Sequence, residues 1–286
     1  MEQVEKLAKP IPKVAEHRIS DLLSENSSPS AKGNAARWYA EMFIDLFLSD
    51  RAKLDVGENE FNKMFLGEKI RKIQSYVSPE IVSALYEIKE FGDKASHYSP
   101  GTVILNDDAE KIVDVAINLI IFVLVDELKK DKLNSNLSRA TIFSTIFPVM
   151  RERVLLELLE KASPLDEYNL FILHKYCLAC VKNNKFNKAR RLLDSLKKKK
   201  FIDSQSHRFE IESIKEISAR MRADELPIPG SMEDVSRNFN NVISKMPEFE
   251  TSKNARLISI IETLVRDVFP SNIGSYVGNQ VFIVGS

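Results

Sequence analysis

The stretch from Ile88 to Tyr98 holds residue types that can transfer protons and carry charge. A glycine, an acid, a lysine and a histidine are crowded where the flanking apolar pattern predicts core. A histidine can give or take a proton near neutral pH, and a nearby cation stabilises negative charge that develops in a transition state. We therefore predict His97, Lys89 and Asp93 as candidate catalytic residues. The alternative is a structural histidine at a helix end, close to Asp93, with Gly92 allowing close helix packing or a kink.

Positive charge is concentrated in one basic stretch, Lys182–Lys200, of a chain whose formal net charge is zero. It contains nine Lys or Arg residues and one acid, Asp194. Such a surface binds phosphate backbones in a salt-sensitive and largely sequence-independent way. The alternative is a solvated helix face with a lysine-rich end that suits the helix dipole. The predicted nucleic-acid contacts are Lys182, Lys185, Lys188, Arg190, Arg191, Lys197 and Lys198.

The two cysteines, Cys177 and Cys180, follow His174 in steps of three residues, which places all three on one helix face. Zinc takes such ligands, but a single cysteine pair needs a fourth ligand, for which His207 is the candidate. Buried core thiols are the preferred interpretation, and no metal is predicted. Two cysteines give no disulfide framework and suit a reducing cytosol, so we predict a cytoplasmic protein.

The sequence lacks a P-loop, a dinucleotide fingerprint, a zinc-protease motif and a nucleophile elbow, so no cofactor is predicted. The longest apolar run, Val113–Val125, includes Asp114 and Asn118. It is too short and too polar for a membrane span, and we predict a buried core helix.

The elements that would position these residues are helices. Nine glycines and eleven prolines in 286 residues are too few for the many turns of an all-β fold. Ser78-Pro79-Glu80 is a helix start, and Asn106-Asp107-Asp108 begins a long helix that ends near Asp131. Apolar spacings of three and four residues predict the other helices over about 13–24, 30–48, 61–77 with a kink at Gly67, 138–147, 149–161, 166–183, 186–199, 204–222, 231–245 and 253–268.

Breaks in this pattern divide the all-α chain into four segments. We predict an N-terminal arm (1–29), an antiparallel helical bundle (30–132), a helical-hairpin region (133–226) and a small C-terminal module (227–286). The turn at Lys182–Ala189 resembles tetratricopeptide-type hairpins, although no clean repeat period accompanies it. The tail Asn279–Gly285 is predicted to be a strand.

Three motifs in the bundle segment carry a family resemblance. Ala36–Glu41 has an Arg and, four residues later, a Glu flanking small residues; Lys69–Ile73 is a second helix pattern; Ile88–His97 ends in a small pair and a His. Together they resemble the HEPN superfamily of helical nucleotide- and RNA-associated bundles, in particular the uncharacterised branch often found in restriction and phage-defence proteins. Two positions depart from the family signature, because Lys89 stands for its Arg and Asp93 for its Asn.

The resemblance implies a prokaryotic defence protein that binds RNA or nucleotide, with metal-independent endoribonuclease activity as a further expectation. It also implies a homodimer through the bundle, in which His97 would face its symmetry mate. Active family members place an Arg shortly before the His, whereas Glu90–Asp93 contains no cation. The competing prediction is a non-catalytic adaptor, in which the bundle dimerises and the hairpins hold a partner protein.

Overall fold

The computed structural model describes residues 11–16, 19–96, 103–159, 164–266, 276–277 and 280–281. Across these residues the protein is all-α, as the apolar periodicity predicts. In the same part of the chain, strand structure is limited to β1 (Tyr276–Val277) and β2 (Gln280–Val281), which pair antiparallel. The predicted strand over 279–285 overlaps β2, and its other residues lie outside the described ranges.

The chain divides into two compact units. The bundle unit contains Ile11–Val123 and the described residues from Thr263 onward, and the hairpin unit contains Leu124–Glu262. After a 3-10 turn at Lys13–Ala15, the helices of the bundle unit are α1 (Ser20–Leu23), α2 (Pro29–Phe43, continued by a π-helical turn at Ile44–Leu48), α3 (Asp50–Val56), α4 (Glu58–Lys63), α5 (Leu66–Ile73), α6 (Pro79–Ser96) and α7 (Asn106–Lys130). The border between the units falls after Val123, inside α7.

Helix α2 forms the centre of the bundle core. The Ser28 side chain accepts a hydrogen bond from the Ala31 amide (3.2 Å), and Pro29 occupies the first turn, which together begin the helix. Its apolar stripe is buried and continues into the π-helical turn, where the Phe43 and Phe47 rings stack with centroids 4.6 Å apart. On the polar side of the same helix, Arg37 pairs with Asp93 of α6.

The predicted single helix over 61–77 is wrong. The chain between 50 and 73 instead forms three short helices, α3, α4 and α5. Gly57 separates α3 from α4 with a φ of 88°, a conformation that favours glycine. Helix α5 begins where the Glu68 carboxylate accepts a hydrogen bond from the Phe65 amide (2.9 Å). Gly67 lies in the first turn of α5 and produces no kink.

Helices α2 and α6 approach each other closely because glycine lies on both sides of the contact. A Cβ atom added at Gly92 would lie 2.8 Å from Arg37 Cβ and 3.3 Å from the Gly33 carbonyl oxygen. One added at Gly33 would lie 2.6 Å from Ala95 Cβ. Helix α6 is continuous through Gly92, so this residue serves close packing rather than a kink.

The hairpin unit follows the predicted helices closely, except that an additional short helix, Glu248–Lys253, precedes the helix predicted over 253–268, whose last two residues lie outside the described ranges. The turn between Lys182 and Phe186 passes through Asn184 in the left-handed conformation (φ 58°). No helix within the described residues has the length and apolar character that crossing a bilayer requires. The helices are α8 (Leu137–Phe143), α9 (Pro148–Leu158), α10 (Glu167–Lys182), α11 (Phe186–Lys198), α12 (Ser204–Arg222), α13 (Met232–Ile243), α14 (Glu248–Lys253) and α15 (Ala255–Val265).

Candidate functional site

The three motifs that carry the family resemblance meet in space. Their helices, α2, α5 and α6, contribute six charged side chains to one connected group, which we call the paired cluster. Three are cations and three are carboxylates, so the group is neutral overall. Its members are Arg37, Glu41, Asp45, Lys69, Lys89 and Asp93.

Asp93 is the bridge between α2 and α6. One carboxylate oxygen accepts a hydrogen bond from Lys89 Nζ at 2.5 Å, and the other pairs with the Arg37 guanidinium. The Nε atom of Arg37 also lies 3.6 Å from a carboxylate oxygen of Glu41, one turn further along α2. The guanidinium beside Asp93 therefore comes from a different helix, and sequence reasoning around the signature missed it.

Lys69 forms the second half of the paired cluster. Its Nζ atom lies 3.0 Å from both carboxylate oxygens of Asp45 and 5.5 Å from the Phe61 ring centroid. Lys69 is buried, so the ion pair and the ring together replace its lost hydration. Burial raises the pKa of Glu41, although the positive charges of Arg37 and Lys69 oppose that shift.

A glycine positions Lys89 against α5. A Cβ atom added at Gly67 would lie 2.9 Å from Cε of Lys89, so the lysine stem crosses α5 where a side chain is missing. The Lys89 side chain is 28% exposed, and that of Asp93 is 34% exposed. Both groups are held in place while their polar ends remain accessible to solvent.

His97, the third predicted catalytic residue, lies outside the described residues. The structure describes the chain on either side of it. An open depression of about 560 Å³ lies between α6 and the start of α7, lined by Phe91 and Lys94 on one side and by Val103, Asp108 and Lys111 on the other. This depression contains both acids and cations, and Lys111 pairs with Asp108 at 3.4 Å.

Part of the basic stretch is neutralised by one buried acid. The Glu152 carboxylate lies 2.6 Å from Lys188 Nζ and 3.3 Å from Lys185 Nζ, and it accepts a hydrogen bond from the Asn183 amide at 2.7 Å. Burial raises the pKa of Glu152, but the hydrogen bonds from Lys188 and Asn183 outweigh this effect and hold it below its ordinary value. These two lysines therefore fasten the turn between α10 and α11 onto α9.

The other predicted contacts differ in their surroundings. Arg190 lies 3.8 Å from Asp194, and Arg191 donates a hydrogen bond to the Asn187 carbonyl of its own helix. Lys182 is half-buried. Lys197 and Lys198 are exposed near the end of α11, and Lys197 lines an open depression beside the start of α12.

Both thiols belong to the core of the hairpin unit. Cys177 and Cys180 are buried, and burial raises the pKa of each, that of Cys180 to about 11. His174 instead contacts a Glu210 carboxylate oxygen at 3.1 Å, and His207 contacts Asp194 at 2.9 Å. Within the described part of the chain, no group of three or more His, Cys, Asp or Glu residues is arranged to hold a metal ion.

No family model, curated protein or solved structure matches this chain.

Proposed function

We propose that the bundle unit binds RNA or a nucleotide through phosphate groups, at the surface formed by the paired cluster. The supporting observation is the meeting of the three resemblance motifs, with Arg37 joining Lys89 at Asp93. The guanidinium supplies the planar double donor that phosphate recognition favours and that Lys89 alone lacks. In this proposal the protein is a cytoplasmic defence component that acts as a homodimer.

The reaction that we propose for the bundle unit is metal-independent RNA cleavage. A base removes the proton of the 2′-hydroxyl, whose oxygen attacks the adjacent phosphorus and forms a 2′,3′-cyclic phosphate. The bond from phosphorus to the 5′-oxygen breaks, and an acid protonates that oxygen. In this scheme His97 and its symmetry mate carry out the two proton transfers. Arg37 and Lys89 stabilise the negative charge that develops on the phosphoryl group.

The test is RNA cleavage in the presence of a chelator, with the cyclic phosphate end as the product measured. His97→Ala is expected to lower the rate by about 10²–10⁴-fold, the usual contribution of a general acid or base. The matched control is His207→Ala, which removes a histidine of the hairpin unit and is expected to leave cleavage unchanged. Equal cleavage by the His97 variant and the wild type would overturn the enzymatic proposal.

RNA contact by the basic stretch is a separate part of the proposal. Lys197 and Lys198 are exposed, so their charges are available to a phosphate backbone. Replacing both with Glu is expected to weaken binding of single-stranded RNA and to reduce the salt slope by roughly 0.7 for each lost phosphate contact. An unchanged salt slope would assign these lysines to a solvated helix face.

A second candidate function, a non-catalytic scaffold, is favoured by the charge pairing itself. Every charged side chain of the paired cluster has an opposite charge as its neighbour, and α2 and α6 are packed through glycine. Such a network orders helices without any ligand. A dimer in sedimentation, combined with absence of RNA or nucleotide binding by the wild type, would favour the scaffold over the first proposal.

A further inference from the structure

Four cations of the hairpin unit lie on three helices, and Lys182 is within electrostatic range of the other three. We call them the cation cluster: Arg151 on α9, Lys175 and Lys182 on α10, and Arg220 on α12. Lys175 and Lys182 are seven residues apart, which places them on one face of α10, two turns from each other. Helix α10 packs against both α9 and α12 and so brings the four side chains together.

Arg151 is the buried member of the cation cluster. It is 8% exposed, and its Nε atom has no hydrogen-bond acceptor. Across the described residues, none of the acids forms an ion pair with Arg151, Lys175 or Lys182. The adjacent acid, Glu152, is already engaged with Lys185 and Lys188. A buried guanidinium without a partner is costly, because nothing replaces the water it has lost.

Arg139 in the same unit shows what a neutralised buried arginine looks like. It is 1% exposed, and its guanidinium reaches Glu127 at 2.8 Å and Asp131 at 3.1 Å. It also donates a hydrogen bond to the Asp131 carbonyl at 3.0 Å. The fold therefore supplies carboxylates to one buried arginine and none to Arg151.

The pKa values of both lysines of the cation cluster are lowered. Burial, together with the neighbouring charges of Arg151, Lys175 and Arg220, lowers the pKa of Lys182 to about 8. Burial followed by repulsion from Arg151 lowers the pKa of Lys175 as well. The neighbouring cations thus weaken the protonation of both lysines, and within the described residues Arg220 is the member of the cluster that has an acid beside it, Glu225 at 3.7 Å.

We propose that the cation cluster binds the phosphate group of a small phosphorylated ligand. Three of its cations lack a counter-ion, and a phosphate carries up to two negative charges in the volume of one small group, whereas a carboxylate carries one. Arg151 offers parallel N–H donors that match phosphate oxygens, and the lysines add point charges around them. The depth of Arg151 excludes a nucleic-acid duplex and suits a compact group.

This site goes beyond the proposed function, since none of its residues belongs to the paired cluster and its ligand is not the RNA strand. The experiment uses the full chain and two probes, inorganic phosphate and AMP, each compared with chloride at matched ionic strength. Binding is measured by titration calorimetry and by the unfolding temperature, which rises with the concentration of any ligand that binds the folded state.

Both probes are expected to raise the unfolding temperature of the wild type in a concentration-dependent way. Arg151→Met is expected to weaken phosphate binding at least tenfold. It should also leave the ligand-free protein as stable as the wild type or more so, since an unpaired charge has been removed. A merely structural arginine would give the reverse, a destabilised protein. Tighter binding of AMP than of phosphate identifies an esterified ligand, and the converse identifies free phosphate.

Lys182→Met is the second variant, in case Arg151→Met fails to fold, and is expected to lose phosphate binding in the same way. Lys215→Met, an exposed lysine of α12 outside the cation cluster, is the control and is expected to bind normally. An absent response to both probes up to about 10 mM would overturn the proposal, because a site of physiological strength responds well below that concentration. An unchanged response in both cluster variants would also overturn it. The proposal would also be overturned if a 5′-hydroxyl RNA bound in a way that depends on Arg151 while neither probe bound.

Discussion

The paired cluster of the bundle unit and the cation cluster of the hairpin unit are built from the same types of cation in opposite electrostatic settings. In the paired cluster, Asp93 joins Arg37 to Lys89, and Asp45 neutralises Lys69. In the cation cluster, Arg151 is buried without an acceptor for its Nε atom. The fold therefore pairs every cation of the paired cluster with a carboxylate, whereas within the described residues it pairs only Arg220 of the cation cluster, with Glu225.

The difference lies in where the acids are placed. In the paired cluster, Arg37 and Lys89 each have a carboxylate one turn away on their own helix. Lys69 instead faces a carboxylate of another helix, Asp45. Helix α10 brings Lys175 and Lys182 to the cation cluster with no acid on that face, while Glu152 of α9 is engaged by the α10–α11 turn. We infer that paired charges order helices, whereas unpaired buried charges mark a ligand site.

The largest effect is expected from disturbing the close approach of α2 and α6. In Gly92→Ala, the new methyl group would lie 2.8 Å from Arg37 Cβ, so the helices must move apart and the ion pairs of Asp93 must lengthen. The free energy of unfolding is expected to fall by about 2 kcal/mol, net of the higher helix propensity of alanine. Chemical denaturation measures this change.

Gly230→Ala is the matched control. A Cβ atom added there would meet its nearest neighbour, the Asp234 carboxylate, at 3.8 Å, which is ordinary contact. We expect no measurable loss of stability from it. If Gly92→Ala is equally harmless, the glycine contact does not hold the paired cluster together.

A smaller effect is expected from converting the paired cluster into an unpaired one. Asp93→Asn keeps the size of the side chain but removes the charge that Arg37 and Lys89 share. The expected loss is about 1–2 kcal/mol, since the group is partly exposed to solvent. Part of that loss should be recovered by added phosphate, because Arg37 and Lys89 then lack the carboxylate between them, as the cations of the cation cluster do.

The control for this variant is Asp108→Asn, which breaks the exposed pair with Lys111 and is expected to cost less than about 0.5 kcal/mol. Denaturation with and without phosphate separates the two variants. Loss of stability in Asp93→Asn without any recovery by phosphate would mean that charge imbalance alone does not create an anion site.

The smallest effect, of opposite sign, is expected from Lys182→Met. The folded-state pKa of Lys182 lies at about 8, below its ordinary value of 10.5, so the unfolded chain binds the extra proton between these values. The stability of the wild type should therefore rise as the pH increases from about 8 to 10.5, and the full penalty applies below pH 8. The variant should lack this rise and be more stable than the wild type at pH 7 by up to about 1 kcal/mol.

Lys198→Met, whose lysine is exposed, serves as the reference, because the titration of the thiols and tyrosines is common to all three proteins. Parallel stability curves for the wild type and Lys182→Met over this pH range would contradict the electrostatic description of the cation cluster.

Much of the fold follows from local sequence signals. Pro79 marks the start of α6, and the Asn106 segment begins the long α7, because caps and apolar stripes act over a few residues. The split of 50–73 into three helices was not predicted, since the left-handed φ of Gly57 depends on how α3 and α4 pack.

The charged sites are only partly predictable. Lys89 and Asp93 lie on adjacent turns of one helix, so their spacing in the signature predicts that they are neighbours. Arg37 contacts Asp93 from another helix and is 56 residues away from it in sequence. No sequence motif points to Arg151. An arginine within an apolar helix carries no sequence signal of whether an acid will face it, because that depends on the packing of α9, α10 and α12.

The ionisation of Lys182 tests the central claim most directly. Lysine labelled with carbon-13 at Cε reports the Nζ pKa in an NMR titration, with Lys182→Met used to assign the resonance. Without phosphate, the pKa is expected at about 8, and saturating phosphate should raise it toward the ordinary 10.5 because the anion stabilises the charged form. A pKa near 10.5 in the absence of phosphate, or one that phosphate does not move, would contradict an unpaired cation cluster that binds an anion.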